Sequence, residues 1–98
     1  MVVKERAIYI SDAGLRALQT TMLSKTESSA LWWIVSNLPV GGGKIKNQDL
    51  QLNLGIKHPP VASKVLKKLV ETGFLRRMAK IETSYFYEIN PNWIKLAR

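Results

Sequence analysis

Apolar residues recur along this chain with two different periods, and each change of period marks an element. Ala7–Ile10 (AIYI) is a short apolar run, read as an edge strand or an arm. Ser11 and Asp12 are capping residues for a helix expected to reach about Leu23, with Leu15, Leu18 and Met22 on one face. Gly14 weakens that helix. Ser24 and Glu27 have capping-box spacing and predict a second helix to about Leu38. In it Leu31, Ile34, Val35 and Leu38 form a narrow apolar stripe. Trp32 flanks this stripe and Trp33 points roughly opposite to it, so a second surface is expected to cover the helix. Pro39 and Gly41-Gly42-Gly43 end it and read as a flexible connector. The glycines lack the spacing of a phosphate loop.

The pattern continues with a short strand expected at Lys44–Lys46. Asn47 is the expected N-cap of a helix over Gln48–Leu54, with Gly55 just past its end. Leu50 and Leu54 lie one turn apart on the core side, and Ile56 is expected to plug the turn that follows. Pro59 and Pro60 suit the first turn of another helix, which runs to Thr72 and is closed by Gly73. Ala62, Val65, Leu66 and Leu69 are its inward face. Val61, Ser63, Lys64, Lys67, Lys68 and Glu71 point outward. Phe74–Met78 and Ser84–Ile89 alternate as strands, joined by a turn at Ala79–Thr83. Tyr85, Tyr87 and Ile89 share one face of the second strand, with Phe86 and Glu88 on the other. Asn90-Pro91-Asn92 breaks it, and Trp93-Ile94-Lys95-Leu96 follows as an apolar tail.

Composition narrows the reading. At 98 residues with 46% hydrophobic content, one domain with one modest core is expected. No apolar run approaches the ~18 residues of a membrane span, and the first residues lack a signal peptide's pattern. No membrane partner and a cytoplasmic location are therefore expected. With no cysteine there is no disulfide framework. With one histidine, His58, and no cluster of ligand types, no metal, cofactor or catalytic residue is expected.

Charge changes the picture most. The net charge is +8, and the segment from Lys44 to Lys80 carries +7 of it, with Asp49 and Glu71 its only acids. A charge this concentrated points to a polyanion. A solvated helix face is the alternative for Lys64, Lys67 and Lys68, but acids are too sparse here for helical ion pairing to account for them. The expected DNA-binding residues are Lys46, Asn47, Lys57, His58, Pro60, Ser63, Lys64, Lys67, Lys68, Arg76, Arg77 and Lys80. For His58 a simple helix-start role is the competing reading. Arg76 and Arg77 alternate along a strand, so one of them at most faces DNA squarely. Tyr85, Phe86 and Tyr87 read as core packing, with base stacking the alternative.

The order of helix, helix, helix and hairpin resembles the winged helix-turn-helix fold, an α+β fold that is mainly α with a small β wing. DLQLNLGIKHPPVASKVLKKLVETGFLRR is similar to the pattern of bacterial and archaeal winged-helix regulators, in which the SKVLKKL helix is the recognition helix. SKVLKKLVETGFLRR followed by YFYEINPNW resembles plasmid replication initiators of the RepL type, the likeness resting on Asn90, Pro91 and Trp93. The resemblance implies double-stranded DNA as partner, with Ser63, Lys64, Lys67, Arg76 and Arg77 binding an origin or operator. Plasmid or phage replication initiation is the expected role. Transcriptional regulation, plasmid partition, single-strand or RNA binding, and a protein-interaction module are alternatives. Replication or partition proteins are further expected partners. A homodimer is expected through the N-terminal part, residues 1–43, with Leu15, Leu18, Met22, Trp33 and Trp93 at its interface. Residues 44–90 would carry the DNA-binding unit and 91–98 the tail.

Overall fold

The fold is taken from a computed structural model that describes residues 7–81 and 84–97. Among the described residues it is a mixed α+β globule of four helices and two small antiparallel sheets. The order is β1 (Ala7–Ile10), α1 (Asp12–Thr20), α2 (Lys25–Asn37), β2 (Gly43–Lys44), α3 (Asn47–Leu54), α4 (Pro59–Glu71), β3 (Leu75–Ile81), β4 (Ser84–Ile89) and β5 (Ile94–Ala97). No described helix is long and apolar enough to cross a membrane.

The local capping signals produce helices where they stand. Ser24 Oγ accepts from the Glu27 amide and the Glu27 carboxylate accepts from the Ser24 amide, at 3.1 and 2.8 Å. This reciprocal cap starts α2, whose Ala30, Leu31, Ile34 and Val35 are buried. They pack with Leu50 of α3, with Ala62, Val65, Leu66 and Leu69 of α4, and with Phe74, Leu75, Tyr87 and Ile89 of the β3–β4 hairpin. The three-stranded sheet has the order β2-β4-β3. The glycines before it make a tight turn rather than a slack connector, the Gly42 amide donating to the Pro39 carbonyl at 3.0 Å.

The N-terminal region departs from expectation. α1 ends at Thr20, so Met22 is not on the helix and Leu15, Leu18 and Met22 do not form one stripe. The face α1 buries is small, Gly14 and Ala17. Leu18 packs against the core, while Leu15 and Met22 are 45% and 91% exposed. Trp33 also differs: it packs partly against the core, and its neighbour Trp32 is the exposed ring, at 41%.

The expected tail is a strand. β5 pairs antiparallel with β1 from Ala7↔Ala97 to Ile10↔Ile94, and Ile94 is buried. Asn90 anchors this return. Its Nδ2 donates to the Gly73 carbonyl at 2.9 Å, its amide donates to Phe74, and its own carbonyl accepts from Trp93 and Ile94. Trp93 is consequently drawn inward rather than left as a free surface. Its ring meets Phe74 edge-on at 5.1 Å, and its carbonyl accepts from the Ser11 amide at 3.0 Å.

Candidate functional site

The corner between α3 and α4 is built by backbone chemistry. Gly55 follows α3 in the left-handed region at φ 67°, a conformation glycine adopts without steric cost, and its amide bonds back to Gln51. Ile56 then turns into the core as expected. His58 is the N-cap residue of α4, but its side chain makes no capping bond, and Pro59 and Pro60 open the helix. Lys57, His58 and Pro60 are all exposed.

Asn47 does not cap α3. Lys46 holds the extended N-cap position, with no side-chain bond, and Asn47 is already helical. The Asn47 amide Nδ2 instead donates to Ser63 Oγ on α4 at 2.8 Å. A tertiary partner has replaced the local one.

Helical spacing divides the outer surface of α4. Pro60, Lys64, Lys67 and Glu71 are exposed along its outermost edge. Ser63 lies on one flank, toward α3, and Lys68 on the other, half-buried. Lys67 does have a helical ion partner: its Nζ is 4.0 Å from the Glu71 carboxylate. Both side chains are largely in solvent, so this pair holds Lys67 weakly.

The hairpin splits its two arginines. Arg76 stands opposite Glu88, with their side chains 3.6 Å apart. Arg77 stands opposite Tyr87, on the face continuous with buried Leu75 and Ile89. Strict alternation would put Lys80 on the Arg76 face. The register slips between Arg77 and Lys80, however, because three steps along β3 match two along β4, from Tyr87 to Tyr85. This bulge returns Lys80 to the Arg77 face. Arg77 and Lys80 then sit 4.8 and 5.5 Å from the centroid of the Tyr85 ring. β3 extends to Ile81, past the expected end at Met78, and the expected tip residues Glu82 and Thr83 lie outside the described residues.

Between α4 and this face lies an open cleft of about 700 Å³. Lys46, Asn47, Ser63, Lys67, Arg77 and Tyr85 are its chemically distinctive lining, and no carboxylate is among the described lining residues. Two elements, α4 and β3, and the segment before α3 therefore bring like charge to one concave face. Lys64 stands on the outer edge of α4 and is not among the lining residues, and Arg76 belongs to the opposite face of the hairpin. Tyr85 is the member expected in the core. Its neighbour in alternation, Tyr87, is buried there, and Tyr85 is 38% exposed. The available signal was its position at the start of β4, where a hairpin has left the core. Burial raises the Tyr87 phenol above its ordinary value of 10.0; Arg77 opposes this and Tyr85 adds to it. Among the described residues no group of three or more metal-ligating side chains occurs.

Comparison with protein-family models, with curated proteins and with solved structures finds no match to this chain.

Proposed function

We propose that this protein is a winged helix-turn-helix binder of double-stranded DNA. α4 acts as the recognition helix and the β3–β4 hairpin as the wing. The observation that carries this reading is the cleft: cations of α4, of the hairpin and of the α3 entry line one concave surface with no carboxylate among its described residues. Such a surface attracts a polyanion wide enough to touch several elements at once. The element order from α2 to β4 and the sheet order β2-β4-β3 support the fold. The exposed edge of α4, Pro60, Lys64 and Lys67, is the part that enters the major groove, with Ser63 beside it.

The role we favour is origin binding in plasmid or phage replication, with transcriptional regulation or partition as the alternatives. A basic protein-interaction module is the reading from another class. Trp33 and Trp93 would have been its docking surface, and both pack inward, which favours DNA. Binding to two half-sites calls for a homodimer, for which Leu15, Met22 and Trp32 now offer the exposed apolar groups.

The test is the affinity for a short random-sequence duplex, by fluorescence anisotropy, between about 50 and 200 mM salt. A steep fall in affinity with salt is the expected result. A log–log slope near zero would refute DNA binding and leave the interaction module.

A further inference from the structure

Two cations three residues apart in sequence converge on one aromatic ring, and the bulge in β3 is what brings them there. The geometry points to an anion clamp formed by Arg77, Lys80 and Tyr85, in which a phosphate group is gripped by the two cations and Tyr85 is the positioning residue. This rests on the duplex-binding reading and names the chemistry of one part of it.

Three observations carry the inference. First, Arg77 and Lys80 both lie within cation–π distance of Tyr85, at 4.8 and 5.5 Å. Two like charges drawn to one ring also repel each other, and a negative group joining them relieves that repulsion. Second, no described carboxylate fills that role. The acid of β4, Glu88, is on the other face with Arg76, and the described cleft lining contains none. Third, the convergence depends on an inserted residue, which interrupts the ladder between Arg77 and Lys80. A bulge commonly re-aims a side chain, and here it re-aims Lys80. The ring restrains two long side chains beforehand, so less rotamer freedom is lost when the anion arrives. Tyr85 therefore acts through Arg77 and Lys80. Its π face is the required feature, and its hydroxyl is not.

The phosphate is either a phosphodiester of duplex DNA or part of a free polyphosphate, and two experimental arms separate these. In the first, the full chain and its Tyr85→Phe, Tyr85→Leu and Arg77→Gln variants are titrated with random duplex across a salt series. Tyr85→Phe should keep wild-type affinity and slope. Tyr85→Leu should lose roughly tenfold in affinity. Its salt slope should fall by about one unit, as should that of Arg77→Gln. Equal behaviour of the Phe and Leu variants overturns the positioning role. If Tyr85→Leu does not fold, Arg77→Gln and Lys80→Gln decide: unchanged slopes in both overturn the clamp. In the second arm, NMR follows the Arg77 Nε–H resonance during titration with tripolyphosphate. Should wild type fail to bind duplex, a shift in wild type and Tyr85→Phe but not Tyr85→Leu supports the clamp while the DNA reading falls. No shift and no duplex binding overturns both.

Discussion

The Nδ2 of Asn47 donates to the hydroxyl of Ser63 at 2.8 Å, tying the first residue of α3 to the outer flank of α4. Ser63 Oγ accepts in this bond and keeps a proton of its own to donate, and both residues line the cleft. The two groups are one unit, and their substitutions should not add. Asn47→Ala and Ser63→Ala should each cost about 1 kcal/mol or less, since the bond is exposed, and the double variant should cost little more than either alone. Urea unfolding of the four proteins measures this coupling. Additive losses would mean that the bond contributes nothing in solution. Under the proposed function, both single variants also shift preference among duplex sequences in the same direction.

The outer edge of α4 gives the most direct test of DNA binding. Lys64 and Lys67 lie off its buried stripe, so Lys64→Ala with Lys67→Ala should leave stability within about 0.5 kcal/mol of wild type. Loss of the weak Lys67–Glu71 pair changes little. Duplex affinity should fall, and the salt slope should drop by about one unit for each phosphate that a lysine no longer reaches. Unchanged affinity in the double variant would remove this edge from the interface.

Much of this arrangement was legible locally, and what was not depended on distant partners. The Ser24–Glu27 cap and the inward face Ala62, Val65, Leu66 and Leu69 are signals complete within one turn or one helix, and both appear as expected. Asn47 has the chemistry of an N-cap, but Ser63, sixteen residues on, offers it a different bond. Strand composition also cannot reveal the slip between Arg77 and Lys80, because a bulge is a relation between two strands. The pairing of β1 with β5 joins opposite ends of the chain, so nothing near Trp93 announces that its segment is held under α1. For the site, the outward residues of α4 were identifiable. Which arginine faced the cleft, and that Tyr85 joined it, required the register.

Trp32 and Trp33 should respond oppositely to substitution. Trp33 packs against the core, so Trp33→Ala should destabilise by about 2 kcal/mol. Trp32 is exposed, so Trp32→Ala should stay within about 0.5 kcal/mol of wild type. If the chain dimerises through this region, the second substitution shifts it toward monomer without loss of fold. Sedimentation velocity with and without duplex reads the assembly. A wild type that stays monomeric throughout would rule the dimer out.

Stability should decline in alkali through Tyr87. Burial raises the phenol above 10.0, partly offset by the Arg77 charge. The folded state thus keeps the proton where the unfolded chain has lost it. This contribution is therefore fully present below about pH 10 and is lost as pH rises from there through the folded value. Tyr87→Phe should remove that loss while leaving the ring packed. Unfolding free energies of both proteins from about pH 8 to about 11 check it, and parallel curves would show that the phenol is not perturbed.

Gly14→Ala sets helix propensity against packing. Gly14 lies inside α1, where alanine is favoured over glycine by about 1 kcal/mol. The sequence alone would therefore predict a stabilised helix. In the fold, a Cβ at this position would collide with the backbone carbonyl of Trp93. That carbonyl cannot swing aside freely, because it accepts from the Ser11 amide at 3.0 Å, and the adjoining Asn92 carbonyl accepts from Ser11 Oγ at 2.6 Å. Trp93 is further held by its ring against Phe74 and by its amide on Asn90. Overpacking against fixed backbone costs about 1–3 kcal/mol, and separating α1 from Trp93 adds the loss of those hydrogen bonds. Packing should win, with a net destabilisation of about 1–2 kcal/mol and a melting temperature lowered by about 4–8 °C per kcal/mol. A thermal melt more stable than wild type would mean that α1 does not dock on Trp93, and the docking of the N-terminal helix would have to be redrawn.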